Sequence, residues 1–165
     1  MVKILFSEFY DIQKELNEKI FRCRNINFEE IKNKAHLALL TELMELCNET
    51  RCFNYWSKKQ RSADEIILEE FADVICFALS EYIYYGLKKD TVIEFEKLEI
   101  SNNDQIVNQF LKLVSIYNKI NNNETVSEFM KELFKLGYML GYDFNQILDA
   151  YKKKCIKNHG VQDNW

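Results

Sequence analysis

The chain has 165 residues, of which 47% are hydrophobic and 14% aromatic, enough for one domain, over residues 1–165, with a real core. It has no proline and only four glycines, which excludes sandwiches, barrels and long disordered linkers. A net charge of −4 provides no basic field for nucleic acid, so an anionic ligand would need local neutralisation.

The N-terminus, Met-Val-Lys-Ile-Leu-Phe-Ser-Glu, is too short and too soon acidic for a signal peptide. Ser7 is expected to cap a first helix to about Arg24, with Phe9, Ile12, Leu16 and Ile20 as its apolar stripe. Gln13 and Asn17 lie one turn apart beside that stripe and, on spacing alone, read as its polar flank. Asn25–Asn27 breaks the pattern, and a long helix follows from about Phe28 to the Phe53 region. On it Glu42, Glu45 and Glu49 share one narrow sector, between faces rich in leucine. Trp56 projects near that sector if the helix persists so far; otherwise it opens a loop.

Ser57-Lys-Lys-Gln-Arg-Ser is a basic connection, read either as a solvated loop or as a phosphate contact. Ser62-Ala-Asp-Glu65 fits a capping box for a helix running to about Tyr85 and stopped by Gly86. Glu70, Asp73 and Phe77 share a face of it. Its run from Ile66 to Tyr85 contains Glu69, Glu70, Asp73 and Glu81, which argues against a membrane span. Tyr82, Tyr84 and Tyr85 suit packing or a subunit contact. Residues 88–104 allow a short extended piece or a ragged helix. Asn102-Asn-Asp caps a helix to about Ile120, Thr125-Val-Ser-Glu128 opens one that ends at Gly141, and Asp143-Phe-Asn-Gln146 opens the last, which Gly160 ends. Gly137 suggests a close helix approach. Tyr151, Lys154 and Asn158 share a face of the last helix, while Lys152, Lys153 and Lys157 suit a solvated basic end. The fold class is all-α: a bundle of about six helices with a four-helix core. Five cysteines, odd in number and without a C-x-x-C, fit free thiols in a reducing cytoplasm.

Two acid pairs, Glu42/Glu45 and Glu70/Asp73, therefore sit inside the two most apolar helices, where unpaired charge is costly. Three readings stand. The acids are salt-bridged surface groups; they are a di-iron site, which wants Glu-x-x-His twice and finds neither His36 nor His159 suitably spaced; or they hold Mg²⁺, with Mn²⁺ as a second choice, for phosphoanhydride hydrolysis. The chain has neither a P-loop nor a dinucleotide-binding glycine motif.

The pattern E-x-x-E then E-x-x-D on successive helices resembles the all-α nucleoside triphosphate pyrophosphatases of the MazG-like superfamily. The segments Ala38-Leu-Leu-Thr-Glu-Leu-Met-Glu to Trp56-Ser, and Ile67-Leu-Glu-Glu-Phe-Ala-Asp-Val-Ile-Cys-Phe77, look like the dimeric dUTPases, particularly those of Gram-positive bacteria and their phages. Gln13, Asn17 and the ending Tyr151-Lys-Lys-Lys154-Cys-Ile-Lys-Asn158-His-Gly-Val-Gln162-Asp-Asn fit as well. The resemblance implies a homodimer that cleaves dUTP to dUMP and pyrophosphate; from the charge and the acids in the apolar helix, neither a membrane nor a direct nucleic-acid partner is expected. It implies Mg²⁺ on Glu42, Glu45, Glu70 and Asp73, with Glu42 as base for the attacking water. Gln13, Asn17, Trp56 and Phe77 would form the uracil and deoxyribose pocket. Lys154 and Asn158 would meet the phosphates, helped by Arg51 or Lys58. Three positions depart from the family pattern: Asn54 where a lysine is usual, Val161 where an arginine is usual, and Cys76 in place of a histidine. Two of these remove positive charge from the expected phosphate site. A related enzyme preferring dCTP, or a catalytically weak binding or regulatory protein on the same fold, are the alternatives.

Overall fold

The computed structural model describes residues 1–162, with side chains through Gly160; the side chains of Val161 and Gln162 and the residues after Gln162 lie outside the described part. The order is β1 (Val2–Leu5), α1 (Ser7–Arg24), α2 (Phe28–Thr50), α3 (Asp64–Tyr84), β2 (Val92–Phe95), α4 (Asn103–Tyr117), α5 (Asn123–Met139) and α6 (Phe144–Gln162). Six helices make 69% of the structure, and the expected all-α bundle is what forms. The most apolar helix, α3, is its axis: α1, α2, α5 and α6 all pack against it, and α4 pairs with α5.

That arrangement follows from side-chain periodicity. Phe9 and Leu16 of α1, Leu39, Leu43 and Leu46 of α2, and Ile67, Phe71, Val74, Ile75, Ala78 and Leu79 of α3 are fully or almost fully buried. Each large apolar side chain so buried contributes about 1.5–3 kcal/mol. Phe9 is a hub, with its ring 5.0 Å from Tyr151 and 5.8 Å from Phe134. Gly137 is the close approach that the sequence suggests. A Cβ there would lie 2.6 Å from Ile147 Cδ1 on α6 and 3.2 Å from the Phe71 ring on α3.

Residues 92–95 resolve to the extended alternative, and their partner is the N-terminal segment, for which no strand was expected. Val2–Leu5 pairs antiparallel with Val92–Phe95, Ile4 opposite Ile93. Ile4, Ile93 and Phe95 turn inward, while Lys3 and Glu94 form an ion pair at 2.7 Å on the outer face.

Several helix starts differ from the sequence reading. Ser7 lies inside the first turn, and Phe6 occupies the cap without a side-chain bond. Ser62 does not cap α3; Ala63 holds that position, and the Ser62 hydroxyl donates to Glu49 of α2 instead. At α5 the cap is Asn122, with Thr125 closing the box from the third helical position. Asn102 caps α4 as expected. Gly86 and Gly141, with φ of +95° and +96°, end α3 and α5 as C-terminal stops. Gly160 does not end α6, which continues to Gln162. No helix among the described residues is long and apolar enough to cross a membrane.

Candidate metal centre and base pocket

The α2–α3 pairing creates the acid cluster. Leu39, Leu43 and Leu46 seat α2 on α3, and the i, i+3 spacing then directs Glu42 and Glu45 toward Glu70 from the facing helix. One carboxylate oxygen from each of Glu42, Glu45 and Glu70 lies within 4.8 Å of the others. Three carboxyl oxygens so close, with no nitrogen or sulfur donor among them, suit a hard divalent cation such as Mg²⁺. An open cleft of about 640 Å³ borders Glu45, Glu49 and Glu70.

Electrostatics agree with a site short of positive charge. Burial pushes the Glu42 carboxyl up to about 7, and Asp73, Glu45 and Glu70 add to the effect. Glu70 is raised for the same reasons, burial first and then Asp73 and Glu45. Burial raises Asp73 too, partly offset by Lys154.

Asp73, the fourth expected ligand, is placed differently from the other three. Its Oδ2 lies 2.5 Å from Lys154 Nζ of α6, and both side chains are mostly buried, at 13% and 15% exposed. Lys154 also reaches Glu69 at 3.2 Å, which Lys157 approaches at 2.7 Å. Burial acts to lower Lys154, but its contacts with Asp73 and Glu69 outweigh that and hold it raised. The lysine expected at the phosphates thus spans two carboxylates, and Lys157, exposed as expected, pairs with Glu69 at the surface.

Gln13 and Asn17 are not a polar flank. They are buried at 2% and 7% exposed, and they form one network with two residues the sequence reading gave no role in base recognition. Gln13 Nε2 donates to Asn17 Oδ1 at 2.9 Å and to Ser80 Oγ at 3.1 Å. Ser80 donates to Asn17 Oδ1 at 2.8 Å, and the Tyr151 hydroxyl to Gln13 Oε1 at 3.1 Å. Ser80 follows Phe77 by three residues and Asp73 by seven, so the rotation that grouped those two also reaches it. Phe77 is half-buried and packs against the core. Cys76 and Cys155 bring their sulfurs to 4.0 Å beneath this network, so an apolar α3–α6 contact stands where the family pattern has a histidine.

The rest of the expected pocket lies in the connection between α2 and α3. α2 stops at Thr50 because Arg51 takes a left-handed conformation (φ 54°), and Trp56 therefore lies in a loop. Trp56 is 66% exposed, its ring 5.1 Å from Tyr55 and 5.9 Å from Phe53. Lys58 is exposed. Arg51 Nε and Asn54 Oδ1 are buried atoms with no hydrogen-bond partner among the described residues. Asn158 is half-buried on α6.

Comparison with known proteins adds one finding. A family model described as dUTPase matches residues 5–165. No curated protein matches the chain.

Proposed function

The chain belongs to the dUTPase family, and on that premise we propose that it hydrolyses dUTP to dUMP and pyrophosphate at the α2–α3 acid cluster, with Mg²⁺ as cofactor. The observation that carries the reading is the convergence of Glu42 and Glu45 of α2 with Glu70 of α3 within 4.8 Å, α3 being also the helix that brings Ser80 to the buried Gln13–Asn17 pair. Glu42, Glu45 and Glu70 would hold the cation, joined by Asp73 if Lys154 releases it. When bound, Mg²⁺ neutralises triphosphate charge and makes water a better nucleophile.

The chain's own residues do the remaining work. Glu42 would take the proton from the attacking water; without the cation, burial and the neighbouring acids hold its carboxyl up at about 7. Gln13 and Asn17 hold the uracil edge by hydrogen bonds, and Phe77 and Trp56 offer ring faces for stacking on base and sugar. Lys154, freed from Asp73, meets the leaving phosphates with Asn158, and Arg51 Nε and Lys58 supply further donors from the loop.

The exposed Leu37 and Met44 on α2, at 62% and 39%, support a homodimer, which sedimentation at two concentrations tests. The odd set of thiols without a C-x-x-C supports a reducing cytoplasmic compartment. The decisive experiment is pyrophosphate release from dUTP, dTTP, dCTP and dATP, with and without Mg²⁺. Selective, Mg²⁺-dependent release from dUTP that Glu45→Gln abolishes is expected. Full activity in excess chelator would overturn the metal reading, preferential release from dCTP the base assignment, and tight nucleotide binding without release would make the protein a binder.

A further inference from the structure

The network at Gln13 and Asn17 uses up specific polar atoms and leaves others free to meet a base. A carboxamide has two N–H donors and an oxygen with two lone pairs. Gln13 Nε2 spends both hydrogens, on Asn17 Oδ1 and Ser80 Oγ. Asn17 Oδ1 spends both lone pairs, on Gln13 Nε2 and on the Ser80 hydroxyl at 2.8 Å. Gln13 Oε1 takes one hydrogen from Tyr151. Uncommitted within the network are one lone pair on Gln13 Oε1 and the two hydrogens of Asn17 Nδ2. The pair therefore presents an acceptor beside donors.

An imide edge, N–H beside C=O, complements that pattern. An aminopyrimidine edge opposes it, because its ring nitrogen would set a lone pair against Gln13 Oε1 and its amine would set hydrogens against Asn17 Nδ2. Turning Gln13 over alone sets its oxygen against Asn17 Oδ1 and takes from Ser80 Oγ the hydrogen that it accepts. Among the described residues, Ser80 is the one other side chain hydrogen-bonded to both amides, and it reaches them from the helix that carries Glu70 and Asp73.

We propose that Ser80 is a positioning residue for base choice: its hydroxyl locks the Gln13 and Asn17 carboxamides so that the site accepts an imide-bearing pyrimidine and rejects an aminopyrimidine. The proposal rests on the dUTP reading of the site. The ordinary alternative is a helix serine bonding its own backbone, since Ser80 Oγ also lies 3.0 Å from Cys76 O. That role would leave base choice untouched.

Ser80→Ala and Ser80→Thr in the full chain separate the two. Steady-state kinetics on dUTP and dCTP with Mg²⁺ give the ratio of kcat/KM, thermal melts report folding, and ¹⁵N spectra report exchange of the Gln13 side-chain amide. With Ser80→Ala, kcat on dUTP is expected to hold while KM rises. The dUTP-to-dCTP ratio should fall about tenfold, and Gln13 amide exchange should accelerate. Ser80→Thr should restore both. A folded Ser80→Ala protein with the parental ratio and parental amide exchange overturns the proposal, as does an equal loss on both nucleotides. A parental protein that does not prefer dUTP defeats the reading beneath it instead; amide exchange then decides alone whether Ser80 holds Gln13.

Discussion

Lys154 Nζ sits 2.5 Å from Asp73 Oδ2, so the cation of α6 occupies a carboxylate of the α3 acid pair. The pair is mostly buried, and it answers the like-charge problem created when α2 and α3 bring their acids together. It also places Lys154 in competition with any metal that would use Asp73.

The competition predicts a split in Lys154→Ala. Removing the ammonium leaves Asp73 free, so the half-saturating Mg²⁺ concentration should fall. The same change removes a group offered to the phosphates, so KM for dUTP should rise several-fold. Stability without metal should drop by about 1–3 kcal/mol, because a largely buried carboxylate loses its partner. Metal titrations by calorimetry and urea unfolding in chelator measure the two sides. A rise in half-saturating Mg²⁺ would show that Lys154 holds the acid cluster in shape rather than competing with the ion.

A second prediction concerns pH. Burial and neighbouring acids raise Glu42 to about 7, above an unfolded glutamate near 4.5. Its contribution to stability is therefore fully present below about 4.5 and is lost as pH rises through 7. Glu70 and Asp73 are also raised and push the same way. Glu132 is the counterweight. Burial alone would raise it, but Lys135, Gln109 and Lys112 hold it lowered, so its contribution is present above 4.5 and fails in more acidic solution. Metal-free protein should thus lose stability from pH 5 to 8, and added Mg²⁺ should raise Tm more at pH 8 than at pH 6. Thermal melts in chelator and in millimolar Mg²⁺ test this; a Tm gain equal at both pH values would remove the acids as the metal's binding groups.

The helices were legible because their apolar positions recur at helical spacing, and the acid pairs were legible because i, i+3 needs no tertiary information. β1 was not legible: Val2–Leu5 is four residues long, and only pairing with Val92–Phe95, far along the chain, makes it a strand. Ser7, Ser62 and Thr125 carried correct cap chemistry, yet backbone geometry passed the caps to Phe6, Ala63 and Asn122. Gln13 and Asn17 looked peripheral because nothing local shows that Ser80 and Tyr151 close over them from α3 and α6. Lys154 was placed among the phosphates by resemblance, and its bond to Asp73 depends on how α6 packs on α3.

That packing depends on Gly137, which yields a third prediction. Gly137→Ala puts a methyl 2.6 Å from Ile147 Cδ1 and 3.2 Å from the Phe71 ring, and both side chains are fully buried. Ile147 is on α6, so relief by moving that helix would shift Lys154 and Tyr151. The change should cost about 1–3 kcal/mol by overpacking, measured by urea unfolding, and should lower kcat/KM on dUTP through the displaced α6. Stability lost with full activity would show that α5 absorbs the strain alone.

Trp56 should report substrate binding with no stabilising role of its own. At 66% exposed it buries little surface, and its ring neighbours Tyr55 and Phe53 belong to the same loop. Trp56→Ala should therefore leave Tm within about a degree or two, as surface changes do. If the ring stacks on the nucleotide, that variant should raise KM for dUTP by about tenfold, equivalent to roughly 1.4 kcal/mol of lost contact, with kcat nearly unchanged. Trp56→Phe keeps a ring face and should recover most of the affinity. Adding dUMP with Mg²⁺ to the parental protein should shift tryptophan emission to shorter wavelength, and Trp56→Phe should remove that shift. Unchanged KM in Trp56→Ala would place the base against Phe77 alone and leave the aromatic loop outside the site.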